Sequence, residues 1–115
     1  MAESRLRTTG QLLTGTGATT VYTCPSNFEA EAKLLYANNL HKGQGGSGAV
    51  DLTIKAVLSS TDIPIVTTYS MAVDEILDVL NSGPIAMQAA DTIVVTAGTA
   101  SKLNIVVTVR ESFIG

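Results

Sequence analysis

Apolar and polar residues alternate along several segments of this chain, and that period of two constrains the fold more than any other feature. From Val50 to Leu58 every second side chain is apolar, and those between are mostly polar. Only an extended strand places such side chains on two opposite faces. The same alternation covers residues 28–37 and 103–110, and β-branched runs cover 20–23, 63–69 and 92–96. The sequence therefore predicts an all-β protein.

Short strands with turn signals about every ten residues are typical of an antiparallel β-sandwich, here jelly-roll-like. About eight or nine strands are predicted. Their approximate centres are Leu12, Val21, Leu34, Ile54, Val66, Val79, Ala86, Val94 and Val106. Pro64 lacks an N–H donor, so its strand is expected to start there or to run along a sheet edge.

Residues 71–80 leave two alternatives open. Val73, Ile76, Leu77 and Leu80 have helical spacing, and Ser70 and Gly83 are suitable caps for a single helical turn. The segment Ile76–Leu80 equally suits a strand with two partly covered faces. At most one short helical turn is expected in this region.

A chain of 115 residues has the size of one domain. Residues 1–9 carry two arginines and few apolar side chains, so they are predicted to form an N-terminal arm that orders against a partner. Residues 10–115 are predicted to form the single sandwich domain. The glycine-rich segment from His41 to Gly48 is interpreted as a long, mobile hairpin connection between two strands. Lys42 precedes its glycines rather than following them, which disfavours a phosphate-binding loop.

The charge balance argues against a nucleic-acid partner, since seven basic and ten acidic residues leave a net charge of −3. Single cysteine and histidine residues, Cys24 and His41, exclude an internal disulfide, a cysteine zinc cluster and a two-histidine metal site. No apolar run approaches the ~20 residues of a membrane span. The first residues lack the apolar core of a signal peptide, so synthesis in a reducing cytosol is expected.

Three features could carry chemistry, and each has a simpler interpretation. His41 has Ser47, Asp51 and Asp62 in the sequence as candidate triad partners, yet no nucleophile motif accompanies it, so a surface histidine is favoured. The acidic group Asp74, Glu75 and Asp78 lacks the spacing of a calcium loop and is interpreted as a solvated face. Cys24 is expected to be a small buried hydrophobe. We therefore expect no enzyme activity, no metal and no cofactor.

Aliphatic side chains on both faces of the strands predict contact with other subunits. If Phe28, Ala30, Ala32, Leu34 and Tyr36 form the inner face of their strand, Leu35 and Ala37 lie outside. A sandwich buries one face of each sheet, so the remaining apolar surface is expected to meet another copy of the chain. The predicted interface residues are Arg5, Arg7, His41, Lys42, Gln44, Val66, Val94, Val106, Phe113 and Ile114.

Three stretches carry a family resemblance. They are residues 15–25 leading into 32–39 (GTGATTVYTCP and AKLLYANN), residues 83–93 (GPIAMQAADTI) and residues 103–111 (LNIVVTVRE). With these the chain resembles the small β-sandwich structural proteins of tailed bacteriophage particles. Ala90 stands where the resembling proteins usually have glycine, which leaves the type of turn open, and the loop 43–48 is longer than theirs.

The resemblance implies a non-enzymatic virion protein, assembled in the host cytoplasm. Its expected role is a capsid decoration (cement) protein that binds the major capsid protein lattice as a homo-oligomer such as a trimer. A neck, tail, baseplate or fibre component is the alternative within the particle. A carbohydrate- or receptor-binding module would need Tyr22, Tyr36 or Tyr69 at the surface, and the alternation predicts Tyr36 on the core side. A small jelly-roll hydrolase is the third alternative.

Overall fold

Two antiparallel sheets packed face to face make up the protein, and the computed structural model describes residues 4–46, 48–80 and 83–115. The strands are β1 (Ser4–Leu12), β2 (Thr19–Thr23), β3 (Phe28–Asn39), β4 (Val50–Leu58), β5 (Thr61–Met71), β6 (Ile76–Asp78), β7 (Ile85–Met87), β8 (Thr92–Ala97) and β9 (Leu103–Phe113). A 3-10 turn covers Lys42–Gln44. Within the described ranges, no helix has the length and apolar character to cross a membrane. The predicted all-β, antiparallel sandwich is confirmed.

The strand order is that of a jelly roll. One sheet has the order β1-β9-β3, with β6 and β7 both paired to the far edge of β3, and the other has the order β2-β8-β4-β5. The chain thus crosses repeatedly between the sheets, and β4 and β5 are consecutive strands that pair as a hairpin. β5 lies at a sheet edge, as Pro64 predicts.

The core lies between the two inner faces and follows the alternation of β4, β8 and β9. Leu52, Ile54, Ile93, Val95 and Val107 are all 0–1% exposed. The residues that alternate with them along the strands, such as Val94 and Val106, point outward and are half-buried. Here the local period of two identifies the inner face correctly.

The predicted inner face of β3 is wrong beyond Ala32. The register with β9 shifts between Ala32 and Leu34, so one extra residue, Lys33, is accommodated in a β-bulge. A single extra residue reverses the alternation that follows it. Leu35 and Ala37 are therefore completely buried, whereas Leu34 is 37% exposed and Tyr36 is half-buried.

The helical turn considered for residues 71–80 is absent. Ile76–Asp78 instead forms β6, which pairs with Tyr36–Asn38 of β3, and Val79 N donates to Leu35 O at 2.8 Å. A tight turn precedes this strand, with Glu75 N donating to Ala72 O at 3.0 Å and a φ of 68° at Asp74. The open edge of β3 supplies backbone partners that a lone helical turn would lack.

The loop that follows β3 is not a hairpin, because β3 and β4 belong to different sheets. Its first part is held by backbone bonds from Gln44 N and Gly46 N to His41 O, at 2.7 and 3.1 Å. Lys102 Nζ also donates to Gly45 O. The loop therefore carries the chain across the sandwich at one end of β3. Ser47 lies outside the described residues.

β1 runs antiparallel to β9 without any register shift, from Ser4 opposite Ser112 to Leu12 opposite Asn104. It continues across the predicted boundary between the arm (1–9) and the domain (10–115). That division stays a prediction, and residues 1–3 lie outside the described residues.

Candidate interaction surface

The outer face of the five-stranded sheet carries a group of exposed apolar side chains. Four of the eight large hydrophobic residues that are exposed among the described residues lie there by register: Leu6 (59%), Leu12 (38%), Leu34 (37%) and Ile76 (68%). Val106 and Tyr36 lie opposite each other between them and are half-buried. We call these six residues the apolar face.

Polar pairs are interspersed with the apolar face. Thr8 and Thr108 share a hydrogen bond of 2.8 Å, and Asn104 Nδ2 donates to Asn38 Oδ1 at 3.2 Å. Such a mixture of aliphatic and satisfied polar groups is typical of a surface that can be wetted and can also associate.

The three predicted interface valines do not share one surface. Val106 belongs to the apolar face, whereas Val94 lies on the outer face of the opposite sheet, next to Thr20 and Lys55. Val66 packs partly against the core, opposite the buried Ile54. One contact surface of a subunit could therefore include Val94 or Val106 but not both.

Phe113 and Ile114 lie at the end of the sandwich where β3 begins. The rings of Phe28 and Phe113 meet edge to face with centroids 5.4 Å apart, and the Arg5 guanidinium lies 4.8 Å above Phe28. Ile114 N donates to Asn27 O at 2.8 Å. Phe113 and Ile114 remain 42% and 60% exposed.

His41, Lys42 and Gln44 lie at the opposite end of β3, and all three are exposed. His41 Nδ1 is 2.8 Å from Asp74 Oδ1. The predicted contact residues are thus distributed over both ends of the molecule, which measures 49 × 25 × 25 Å. Their role in an interface stays a prediction.

Arg5 and Arg7 converge on a buried carboxylate, Glu111, which is not among the residues predicted above. Glu111 is 0% exposed; its Oε1 accepts from Arg5 Nε at 2.8 Å and its Oε2 accepts from the Tyr22 hydroxyl at 2.6 Å. Arg7 Nη1 is 3.4 Å from both oxygens. Position 111 follows 103, 105, 107 and 109, the alternate positions of β9 that face the core. The alternation could therefore have identified Glu111 as an inward-facing residue.

Burial and hydrogen bonding shift the pKa values of this group. Burial alone would raise the pKa of Glu111, but the bonds from Tyr22 and Arg5 and the charge of Arg7 outweigh it and hold that pKa below its usual range. Burial, followed by the bond to Glu111, raises the pKa of Tyr22. Burial and the nearby carboxylates also raise the pKa of the Cys24 thiol. Glu111 therefore remains ionised near neutral pH while Tyr22 and Cys24 remain protonated.

Among the candidate catalytic and metal-binding residues that the structure describes, none assemble into a site. Cys24 is buried near Phe28, at the other end of β3 from His41, so they cannot act as nucleophile and base. Glu75 accepts from the Tyr69 hydroxyl and from Ala72 N, and the first of these bonds chiefly lowers its pKa. Across residues 4–46, 48–80 and 83–115, no three His, Cys, Asp or Glu side chains are grouped so that they could hold a metal ion.

A cleft of about 510 Å³ opens beside β7. Its lining includes Glu29, Glu31, Asp91 and Arg110. The Asp91 carboxylate already accepts from Ser59 N and Gln88 N, each at 2.9 Å, and so joins two turns. This carboxylate has a structural role in the cleft.

Comparison with protein-family models and with curated protein sequences finds no match. Comparison with solved structures finds similar folds. A chain from the disulfide-linked pili of Bacillus endospore appendages aligns with TM-score 0.53 and 12% identity, covering 99% of this chain and 89% of that one.

Two viral particles also contain similar chains. One is from the capsid of Helicobacter pylori bacteriophage KHP30, with TM-score 0.53 and 11% identity over 100% of this chain and 95% of that one. The other is from the virus-like particle of the prawn Macrobrachium rosenbergii extra small virus, with TM-score 0.50 and 9% identity over 96% and 79%. At such identities the likeness establishes a shared jelly-roll fold.

Proposed function

We propose that this chain is a non-enzymatic structural protein of a bacteriophage particle, most simply a decoration protein that binds the head lattice as a homo-oligomer. The observation that carries the proposal is the apolar face. Leu6, Leu12, Leu34 and Ile76 are left exposed on one side of a well-packed sandwich. A folded monomer gains nothing from exposing them, whereas a subunit in an assembly can bury them.

Two further observations support this proposal. The stretches 15–25, 83–93 and 103–111 resemble structural proteins of tailed phages, and the fold is shared with subunits of a phage capsid, a virus-like particle and a pilus. A fold alone does not define a function, so the exposed apolar face is the feature that points to assembly.

The apolar face suits repeated weak contacts. Its apolar side chains are few and are separated by the polar pairs Thr8–Thr108 and Asn38–Asn104, so one copy would bind weakly. Several linked copies on a regular lattice would bind tightly through avidity. This is the physical reason for expecting a homo-oligomer.

The carbohydrate-binding alternative has less support. Tyr22 is buried and Tyr36 is half-buried on the apolar face, while the exposed Tyr69 has its hydroxyl bonded to Glu75. These three tyrosines do not form an open stacking platform. A neck, tail or baseplate position would use the same kind of surface and is distinguished by experiment.

The test has two parts. Native mass spectrometry of the purified chain at tens of micromolar is expected to show a homo-oligomer, and a strict monomer would contradict that part of the proposal. Cryo-electron microscopy of the phage particles is then searched for this fold. Copies on the head lattice support decoration, copies at the neck or tail support the alternative, and particles without it refute both.

A matched pair of variants links the surface to the function. Leu34→Glu places a charge on the apolar face and is expected to reduce the occupancy of the particle. Thr23→Glu places the same charge on an exposed position of β2, in the other sheet, and is expected to have little effect. Equal occupancy for the two variants would exclude the apolar face as the contact.

A further inference from the structure

The two sheets have four edges among the described strands, and three of them are interrupted. β5 contains Pro64, a positive φ at Thr68 and two register shifts against β4. β2 has five residues and a register shift, and β6 and β7 have three residues each. Prolines, bulges and short strands are the devices by which proteins prevent edge-to-edge pairing.

β1 has none of these three devices. Charged side chains can also discourage edge pairing, but the two arginines of β1, Arg5 and Arg7, are both engaged by Glu111 of their own chain. β1 is nine residues long, contains no proline, and pairs with β9 without a register shift. Every one of its residues is exposed, and in the described part of the chain its second edge has no strand partner. An edge of this kind is a template for another strand.

We propose that two copies of this chain join along this edge, with β1 pairing antiparallel to β1 of the second copy about Thr8. The inference extends the proposed function by naming one contact of the homo-oligomer. The two five-stranded sheets would then form one continuous sheet with both cores on the same side. In this geometry each residue i lies opposite residue 16 − i of the partner.

The charges of β1 favour this register. It pairs all nine residues and places Arg5 opposite Gln11 and Arg7 opposite Thr9, so no like charges face each other. Sliding the strands two residues one way would place Arg7 opposite Arg7, which is destabilising. Sliding them two residues the other way would leave only residues 6–12 paired.

The apolar face also favours it. Leu6, which is 59% exposed, would lie opposite Gly10, whose missing side chain leaves room beside Val106. An added Cβ at Gly10 would meet Val106 Cγ2 at 3.6 Å, an ordinary contact distance. Leu6 of each copy would therefore cover Val106 of the other, and the two apolar faces would merge.

Cysteine cross-linking tests the register. In Thr8→Cys the two introduced thiols face each other across the axis, with Cβ atoms about 4.5–5.5 Å apart, and mild oxidation with diamide is expected to give a covalent dimer. In Leu6→Cys the two thiols are about 13 Å apart along the strands, and little dimer is expected. The native Cys24 is buried and is present in both variants. A dimer from Leu6→Cys but not from Thr8→Cys would refute this register.

Introduced charges of either sign test the same contact in solution by sedimentation velocity. Gln11→Glu places an anion opposite Arg5 at two symmetric positions and is expected to tighten the dimer about fivefold, while Gln11→Arg weakens it at least as much. Thr67→Glu and Thr67→Arg, on the exposed edge strand β5, are the matched controls and should leave the dimer constant unchanged. Circular dichroism confirms that each variant is folded.

The outcomes separate the two proposals. If the chain forms an oligomer whose stability does not change in the Gln11 variants and which does not cross-link through Thr8→Cys, the β1 contact is refuted. The proposed structural role is not affected by that result. A chain that stays monomeric would refute the β1 contact and the homo-oligomer together, while the particle maps would still decide whether it is a virion protein.

Discussion

The hydroxyl of Tyr22 donates to Oε2 of Glu111 over 2.6 Å, and this bond joins β2 of one sheet to β9 of the other. Arg5 of β1 binds the second carboxylate oxygen at 2.8 Å. A buried carboxylate is costly unless it is paired and hydrogen-bonded, so Glu111 stabilises the fold only while its partners on β1 and β2 are in place. The Glu111 side chain of β9 thereby links β9 to both β1 and β2.

Replacing Tyr22 with phenylalanine removes one donor from the buried Glu111 carboxylate. We expect the free energy of unfolding to fall by about 1–2 kcal/mol, because the carboxylate loses a charge-assisted hydrogen bond and keeps its burial. Urea denaturation measures the change. Tyr69→Phe is the control, since the Tyr69–Glu75 bond is exposed, and it should alter stability much less. Equal effects would contradict the importance of burial.

Acid is expected to destabilise the protein through Glu111. Its pKa is lowered in the folded state, so below the unfolded-state value of about 4.5 the unfolded chain takes up a proton that the folded chain does not. The stability supplied by Glu111 is thus present above this pH and is lost as the pH falls towards the folded-state pKa. Glu75, whose pKa is also lowered, adds to the same trend.

Denaturation midpoints measured between pH 2 and 7 test this dependence. This pH range extends about two units on either side of the ordinary carboxyl pKa, so it covers the whole titration. Glu111→Gln should make the denaturation midpoint fall less steeply below about pH 5 and should lower the midpoint at neutral pH. An unchanged slope would show that Glu111 does not contribute to the acid sensitivity.

Deleting Lys33 should be tolerated. The bulge places Ala32 opposite Val109 and Leu34 opposite Thr108, so removal of Lys33 leaves a regular ladder with the same inward residues. We expect a loss of stability within about 1 kcal/mol. Deleting Ala37 also restores a regular ladder, but it moves Tyr36 into the core, and this variant should fail to fold. Thermal denaturation and expression level compare the two deletions.

Ala90→Gly should stabilise the protein. Ala90 has a φ of 75°, a left-handed conformation that glycine adopts without steric cost, and its N–H bonds to Cys24 O at 2.9 Å. The expected gain is about 0.5–1 kcal/mol in urea denaturation. Ala89→Gly, at an adjacent exposed position without a positive φ, is expected to be neutral or destabilising. A gain at Ala89 and none at Ala90 would contradict the argument.

Gly46→Ala should disrupt the loop that follows β3. An added Cβ would lie 1.8 Å from Leu40 O, so the backbone must move. A loss of about 2 kcal/mol or more is expected from this strain. Gly17→Ala is the matched control, because an added Cβ there meets nothing within 4 Å. Similar stabilities for the two variants would show that the loop adapts easily.

Much of the fold could be predicted because alternation is a local property. In β4, β8 and β9 the alternate apolar residues, such as Ile54, Val95 and Val107, are buried as the sequence predicts, and only Leu58 at the end of β4 is partly buried. The buried state of Cys24 was also expected. In each of these strands the alternation of side chains is not interrupted by a bulge. Neighbouring residues are therefore enough to predict which side chains face the core.

The interaction surface could be predicted only in part. Val106 lies on the apolar face, but Val94 lies on the other side of the sandwich, and a strand pattern does not reveal which sheet a strand joins. The alternation predicts the wrong face for Leu34, because the bulge at Lys33 has no distinctive sequence signal. Whether any of these residues contacts another subunit stays a prediction.

The local pattern of residues is enough to predict an all-β sandwich and the inward-pointing side chains of its unbroken strands, because the two-residue period of an extended backbone acts over neighbouring residues. Three features instead arise from long-range packing: the bulge in β3, the pairing of Ile76–Asp78 as a strand, and the contact of Arg5 and Tyr22 with Glu111. These depend on partners up to 106 positions away in the chain, and no local pattern encodes a contact over that separation.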